Sequence, residues 1–205
     1  MNLKQIRDNS LKKAWEIGVE IPPTLPLLDA NLKMKNTEEV ISQMLVVHTM
    51  AAVAYGFETE KAIEWLRNEG ISSRLTARES LFLQSGKDSE RFKQQIEGLW
   101  ALAWVMRIFE GSFDFTKDCD SNFVRLLPNL KTENAANFRK KISPRPLLEV
   151  LGVLDLSYCL HWAIRQSKLS GQLILKLKES VVLERRRALE WLFSAEGWDE
   201  ITLDT

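Results

Sequence analysis

Apolar residues recur at helical spacing along most of the chain, and glycines and prolines interrupt them often enough to give many helices. The spacing predicts a first helix over residues 3–15, stopped near Gly18. IPPTLPLL follows, and its three prolines force an extended path. This strap is expected to wrap over the body with Leu25, Leu27 and Leu28 packed inward. Asn36 and Glu39 have capping-box spacing and open a helix that runs to about Tyr55. Thr59 is read as the cap of a short helix closed by Gly70, and Thr76 with Glu79 opens another that ends by Gly86. Asp88 is read as the cap of a helix over 89–109 that holds Trp100 and Trp104. Residues 99–106 of it are apolar on every face, the pattern of a helix surrounded by others.

Residues 111–122 alternate polar and aromatic and read as a loop, followed by a weak helix over 132–141. Pro144 and Pro146 start a strong helix to about residue 168, and the last helix covers 178–195, stopped by Gly197. Between these two, Leu173, Leu175 and Leu177 alternate with other residues. With no evident partner strand, that piece is read as helix or extended linker. The expected fold is all-α: a single irregular domain over residues 1–205, with about seven to nine helices around the tryptophan-rich central one.

Charge changes this picture by exclusion. Basic and acidic residues balance at 28 each, so no global field steers the chain toward nucleic acid or anionic lipid. The basic stretch Arg139, Lys140, Lys141 and Arg145, extended by Lys168, Lys176 and Lys178, has Phe138 but no run of interleaved aromatics, and reads as a solvated face. The longest apolar run, residues 44–57, is too short for a bilayer of about 30 Å. The start of the chain lacks the apolar core of a signal peptide. Cys119 and Cys159 are read as reduced thiols, and the expected setting is cytoplasmic, with no membrane segment.

Candidate chemistry is sparse. There is no phosphate-binding glycine loop, no paired-cysteine spacing, no HExxH and no nucleophile elbow, so no metal or cofactor is expected. His48 lies in an apolar helix and reads as a satisfied core histidine. The informative region is the C-terminal third. A 100° step per residue puts Leu154, Tyr158, His161 and Arg165 on one stripe, bordered by Asp155 and Trp162. On the last helix Val181, Ala188 and Leu192 define an apolar face, beside Leu189 and Trp191. Glu184 and Arg185 fall within that face, whereas Arg186 and Arg187 lie nearer the outside. A charge turned to the core needs a partner, and Asp155, His161, Arg165, Asp199 and Asp204 are the candidates. The cluster Asp155, Tyr158, His161, Arg165, Glu184, Arg185 and Asp199, walled by Trp162, Trp191 and Trp198, has two readings. Either it is a site with a carboxylate, a histidine acid or base and an arginine anion clamp, or it is a buried network that fixes helix register.

The segments DLSYCLHWA, VVLERRRALEWL and WDEITLDT, together with Arg7, Ser10 and Gly18, resemble the family called domain of unknown function 4272. The resemblance covers nearly the whole chain. Asp155, Tyr158, His161, Trp162, Glu184, Arg185, Ala188, Leu189, Trp191, Leu192, Trp198, Asp199, Asp204 and Thr205 match its pattern. Cys159, Glu190 and Glu200 depart from it, standing where arginine, asparagine and aspartate are expected. The resemblance implies no activity, cofactor or partner. What is missing favours a non-enzymatic module that binds another protein; the rival is an enzyme or small-ligand binder built on Asp155, His161, Glu184 and Arg185. Oligomeric state is left open.

Overall fold

The computed structural model describes residues 2–171, 174 and 176–204. Among them the fold is all-α. Nine α-helices follow in order: α1 (Leu3–Glu16), α2 (Thr37–Ala54), α3 (Thr59–Asn68), α4 (Ala77–Ser85), α5 (Ser89–Gln94), α6 (Ile96–Val105), α7 (Ala136–Lys141), α8 (Leu147–Leu169) and α9 (Glu179–Trp191). Two short 3-10 turns, Ser72–Arg74 and Ser121–Leu126, join them.

Helix starts follow the capping chemistry in part. Asn36 accepts from Glu39 N, and Thr76 with Glu79 forms a complete reciprocal capping box. Thr59 and Asp88 do not cap: Thr59 is already the first helical residue, and Asp88 has a left-handed φ of 63° with no side-chain capping bond. Leu27 is 48% exposed, against its expected inward packing, while Leu25 and Leu28 do pack on the core. Leu27 and Leu28 are adjacent in an extended segment, where neighbouring side chains point to opposite sides, so only one of the two can face the body. The last helix ends at Trp191, short of residue 195. Leu173 and Leu175 lie outside the described residues; Leu177 is buried, and no strand occurs among the described residues.

The expected central helix is broken in two. Gln95, with ψ of −9°, separates α5 from α6, and Arg107 turns left-handed at φ 50° just beyond α6. The central role survives in α6, where every residue from Glu97 to Val105 is buried. It packs most closely on α9, and Gly98 shows how close: a Cβ there would stand 3.2 Å from Glu184 O and 3.5 Å from Ala188 Cβ. A larger residue there would push the two helices a few tenths of an ångström apart, so glycine suits that crossing.

The apolar interior has two parts. The larger is built by α1, α6, α8 and α9, with α1 and α9 both against α8. The smaller lies among α2, α3, α4 and α5. Helix α2 serves both, Val40, Met44 and Val47 facing one and Ile41, Leu45, Val46 and Met50 the other. That double duty explains its apolarity on all sides. By length and composition α8 could span a membrane, yet its apolar window is 67% buried inside the fold, as in a core helix.

Candidate functional site

Arg185, Arg186 and Arg187 are consecutive on α9, so their side chains leave the helix about 100° apart. Each fastens a different part of the chain. Arg185, fully buried, meets Glu97 of α6 with Nε at 2.8 Å and Nη2 at 2.7 Å. Its Nη1 donates to Asp114 O and its Nη2 to Lys117 O, and its guanidinium lies 4.0 Å from the Trp100 ring centre. Glu97 accepts in turn from Cys119 N at 2.9 Å. The planar five-donor fork is thus spent on one carboxylate, two carbonyls and an aromatic face, and it pins the loop around residues 114–119 onto α6.

Arg186 is buried too, which corrects its expected outward placement. It meets His161 Nδ1, Glu190 Oε1 at 3.1 Å and Asp204 O at 2.9 Å, over the ring of Tyr158. Burial and then the charges of Arg186 and Arg165 push the His161 pKa down to about 4, so the ring is neutral at pH 7 and its Nδ1 accepts. Arg187 donates to Ile201 O at 3.0 Å and stands 3.6 Å from Glu184. The outward expectation failed because the C-terminal tail folds back over the side of α9 that the helix alone would leave wet.

Asp155 belongs elsewhere. It pairs with Arg7 of α1, buried, at 2.8 Å, and Arg7 also donates to the carbonyls of Leu25 and Pro26, tying the strap down. Tyr158 lies between this pair and Arg186, 5.8 Å from Arg7 and 5.0 Å from Arg186 to the ring centre.

Asp199 joins a further group. Arg91 of α5 donates to Asp199 Oδ1 at 3.3 Å, and Glu79 of α4 is close enough for both charges to act on it. Burial first of all raises the Glu79 pKa to about 7, and burial also raises that of Glu184. Several polar atoms here are buried without a hydrogen-bond partner: Glu79 Oε1, Arg91 Nε, Gln95 Oε1, Arg187 Nε, Trp198 Nε1 and Asp199 Oδ2.

The single expected cluster is therefore divided along α8 and α9: Arg185 sits with Glu97 and Asp199 with Arg91, while the Asp155–Arg7 and His161–Arg186 pairs adjoin through the Tyr158 ring. Arg165 lies on the exposed side of α8. Trp191 and Trp198, two of the expected walls, meet edge to face at 5.4 Å, and Trp198 is a buried plug. Trp162 instead lines an outer groove of about 680 Å³ beside Ile17 and Gly18. Sequence reasoning named Arg7 only in the family resemblance and Glu79 only as a helix cap, and it missed Arg91 and Glu97. Glu97 had a visible signal, being the one charged residue inside an apolar helix, IEGLWALAWV.

Other expectations resolve simply. His48 bonds Pro128 O at 3.1 Å, and burial lowers its pKa to about 4. Cys119 and Cys159 are free thiols pushed up to about 12 by burial, which keeps them protonated and unreactive. The basic stretch is not one surface: Arg145 is buried 4.3 Å from the Trp104 ring centre, Arg139 pairs with Glu38, and Lys178 with Asp118. Among the described residues no group of three or more His, Cys, Asp or Glu side chains assembles to hold a metal ion.

The larger groove, about 720 Å³, runs between α1 and α8 past residues 112–116. Neither His161 nor Arg185 lines it, and neither lines the Trp162 groove. The family model of domain of unknown function 4272 matches residues 7–201. The chain belongs to that family. Within this family member the match opens at Arg7, the partner of Asp155, and closes at Ile201, the acceptor for Arg187. No curated protein and no solved structure matches the chain.

Proposed function

We propose that this member of the family is a non-enzymatic protein-binding or accessory module whose binding face is the groove between α1 and α8. One observation carries the reading: Arg185 and His161, the two groups best suited to chemistry, are engaged internally and line neither groove. A catalytic group has to reach its substrate, and these two serve as braces. The groove is a different kind of surface. Val153, Leu156 and Leu160 form its floor, and Leu148, 58% exposed, stands at its lip. Apolar surface of this shape suits a partner's side chains. Two free, protonated thiols support a reducing, cytoplasmic setting.

Affinity capture from the native host tests this reading, comparing wild type with His161→Gln and Leu148→Asp. The expected result is a protein recovered in stoichiometric amount by wild type and by His161→Gln, and lost with Leu148→Asp. A bound small molecule that disappears with His161→Gln, in a variant that still folds, overturns it.

A further inference from the structure

Two glycines sit inside helices of this fold, and only one is explained by its own chain. Gly98 is favoured by the close approach of α9. Gly152, in the middle of α8, is not: a Cβ there would meet nothing within 4 Å. A mid-helix glycine costs about 1 kcal/mol relative to alanine, and nothing within the chain offsets that cost. Its open space lies in the groove between α1 and α8.

We propose that the occupant of this groove is a second copy of the chain, docked about a two-fold axis that crosses α8 midway between Gly152 and Leu156, the bare position leaving room for Leu156 of the opposing copy. The inference rests on the protein-binding reading of that groove.

The groove has two unlike ends. Arg7 of α1 sits opposite Asp155 of α8, and Ile17 lies beside Ala163, so the two helices run side by side in the same direction. At one end stand Leu148, exposed and unburied by its own chain, and Glu149, which is half-exposed and 3.6 Å from Arg145. Arg145 also pairs with Glu110, so two carboxylates share one guanidinium and that end keeps the negative excess. At the other end, three turns along α8, are Leu160 and Ile17, with Lys12 and Lys13 at the rim. Glu16 lies beside those lysines and leaves that end with the positive excess. A symmetric interface must bring each feature of one copy onto its complement in the other. An antiparallel crossing of α8 on its copy does so here. Each Leu148 enters the far end of the opposing groove, and each Glu149 meets Lys12 and Lys13 of the opposing α1. The knob and its seat, and the acid and its bases, belong to the same face of the same chain. An unrelated partner would have to supply both complements itself, whereas a second copy already carries them.

Sedimentation equilibrium of the full chain tests this directly. Wild type is expected to be dimeric at about 50 µM, and Leu148→Asp to weaken the dimer by at least ~30-fold, since the change occurs twice in one interface. Gly152→Met, whose side chain meets no atom of its own fold near the Cβ, is expected to weaken it similarly while leaving helix content unchanged by circular dichroism. Charge reversal supplies the geometric check. Glu149→Lys alone and Lys12→Glu with Lys13→Glu should each weaken the dimer, and the combination should restore it. A wild type that stays monomeric at about 200 µM, a dimer indifferent to Leu148→Asp, or reversals that add instead of cancelling would each overturn the proposal. A monomer that still captures a different host protein, with capture lost in Leu148→Asp, would overturn the self-association alone and leave the protein-binding reading standing.

Discussion

The arginine cluster around Arg185 and the one around Arg91 handle charge in opposite ways. At Arg185 the guanidinium is matched by a carboxylate, two carbonyls and an indole face. At Arg91 the ion pair is longer, 3.3 Å, and polar atoms of Glu79, Arg91, Gln95 and Asp199 have no partner. Identical chemistry is therefore a brace in one place and spare hydrogen-bonding capacity in the other. The difference comes from the backbone around each. The loop near residues 114–117 turns its carbonyls toward Arg185, whereas Arg91 faces mainly side chains that carry charges of their own.

The sharpest way to break this contrast is to remove what both clusters lean on. Ending the chain after Gly197 deletes the Trp198 plug, the Asp199 carboxylate and the carbonyls that hold Arg186 and Arg187. A loss of ~5 kcal/mol or more is expected in chemical denaturation, because a buried tryptophan alone accounts for about 3–5 kcal/mol. Unchanged melting would mean the tail is an ornament.

Next in size is Arg185→Ala, expected to cost about 3–5 kcal/mol because Glu97 is left buried with its charge uncompensated. The double variant Arg185→Met, Glu97→Leu should recover much of that loss, since no orphaned charge remains. A double variant as unstable as the single one would show that the carbonyl bonds to the 114–117 loop, and not the ion pair, do the bracing.

The pH dependence separates the clusters by sign. Glu79 keeps its proton to about pH 7 in the fold, against an ordinary 4.5. The native state then holds more protons than the unfolded chain between those values, so this group's stabilising effect, ~3 kcal/mol, is present below pH 4.5 and lost as pH rises to 7. His161 acts in the other direction. Its pKa falls from 6.5 to about 4, so the unfolded chain takes up the proton first, and ~2 kcal/mol is lost as pH falls through that window. Glu79→Gln should shrink the decline on the alkaline side to the share left by Glu184, and His161→Gln the decline on the acid side to the share left by His48, read as urea midpoints from pH 4 to 8. Two variants with the same profile as wild type would contradict both assignments.

The smallest expected effect is the most telling. Asp199→Asn keeps an oxygen for Arg91 and gives Glu79 a possible donor, so its cost should stay below about 1 kcal/mol. A loss comparable with that of Arg185→Ala would erase the distinction between the two clusters.

Local rules carried much of the fold. Periodicity, caps and prolines determined the helical class and most helix starts, because those signals act within one or two turns of the chain. The buried tail tryptophan and the inward Arg185 were legible for the same reason: an aromatic or a charge on an apolar face has few places to go. The pairing of those charges was not legible. Arg7 finds Asp155 across 148 residues and Arg185 finds Glu97 across 88, and no periodicity reports on such distances. Nor could the helix wheel of α9 show that Arg186 and Arg187 would be covered, since the cover is a tail that has no period of its own. Sequence alone determined which segments become helices and which apolar faces must leave water. Only the tertiary structure decided which of them met, because partner choice depends on how the helices cross and where the loops turn their carbonyls.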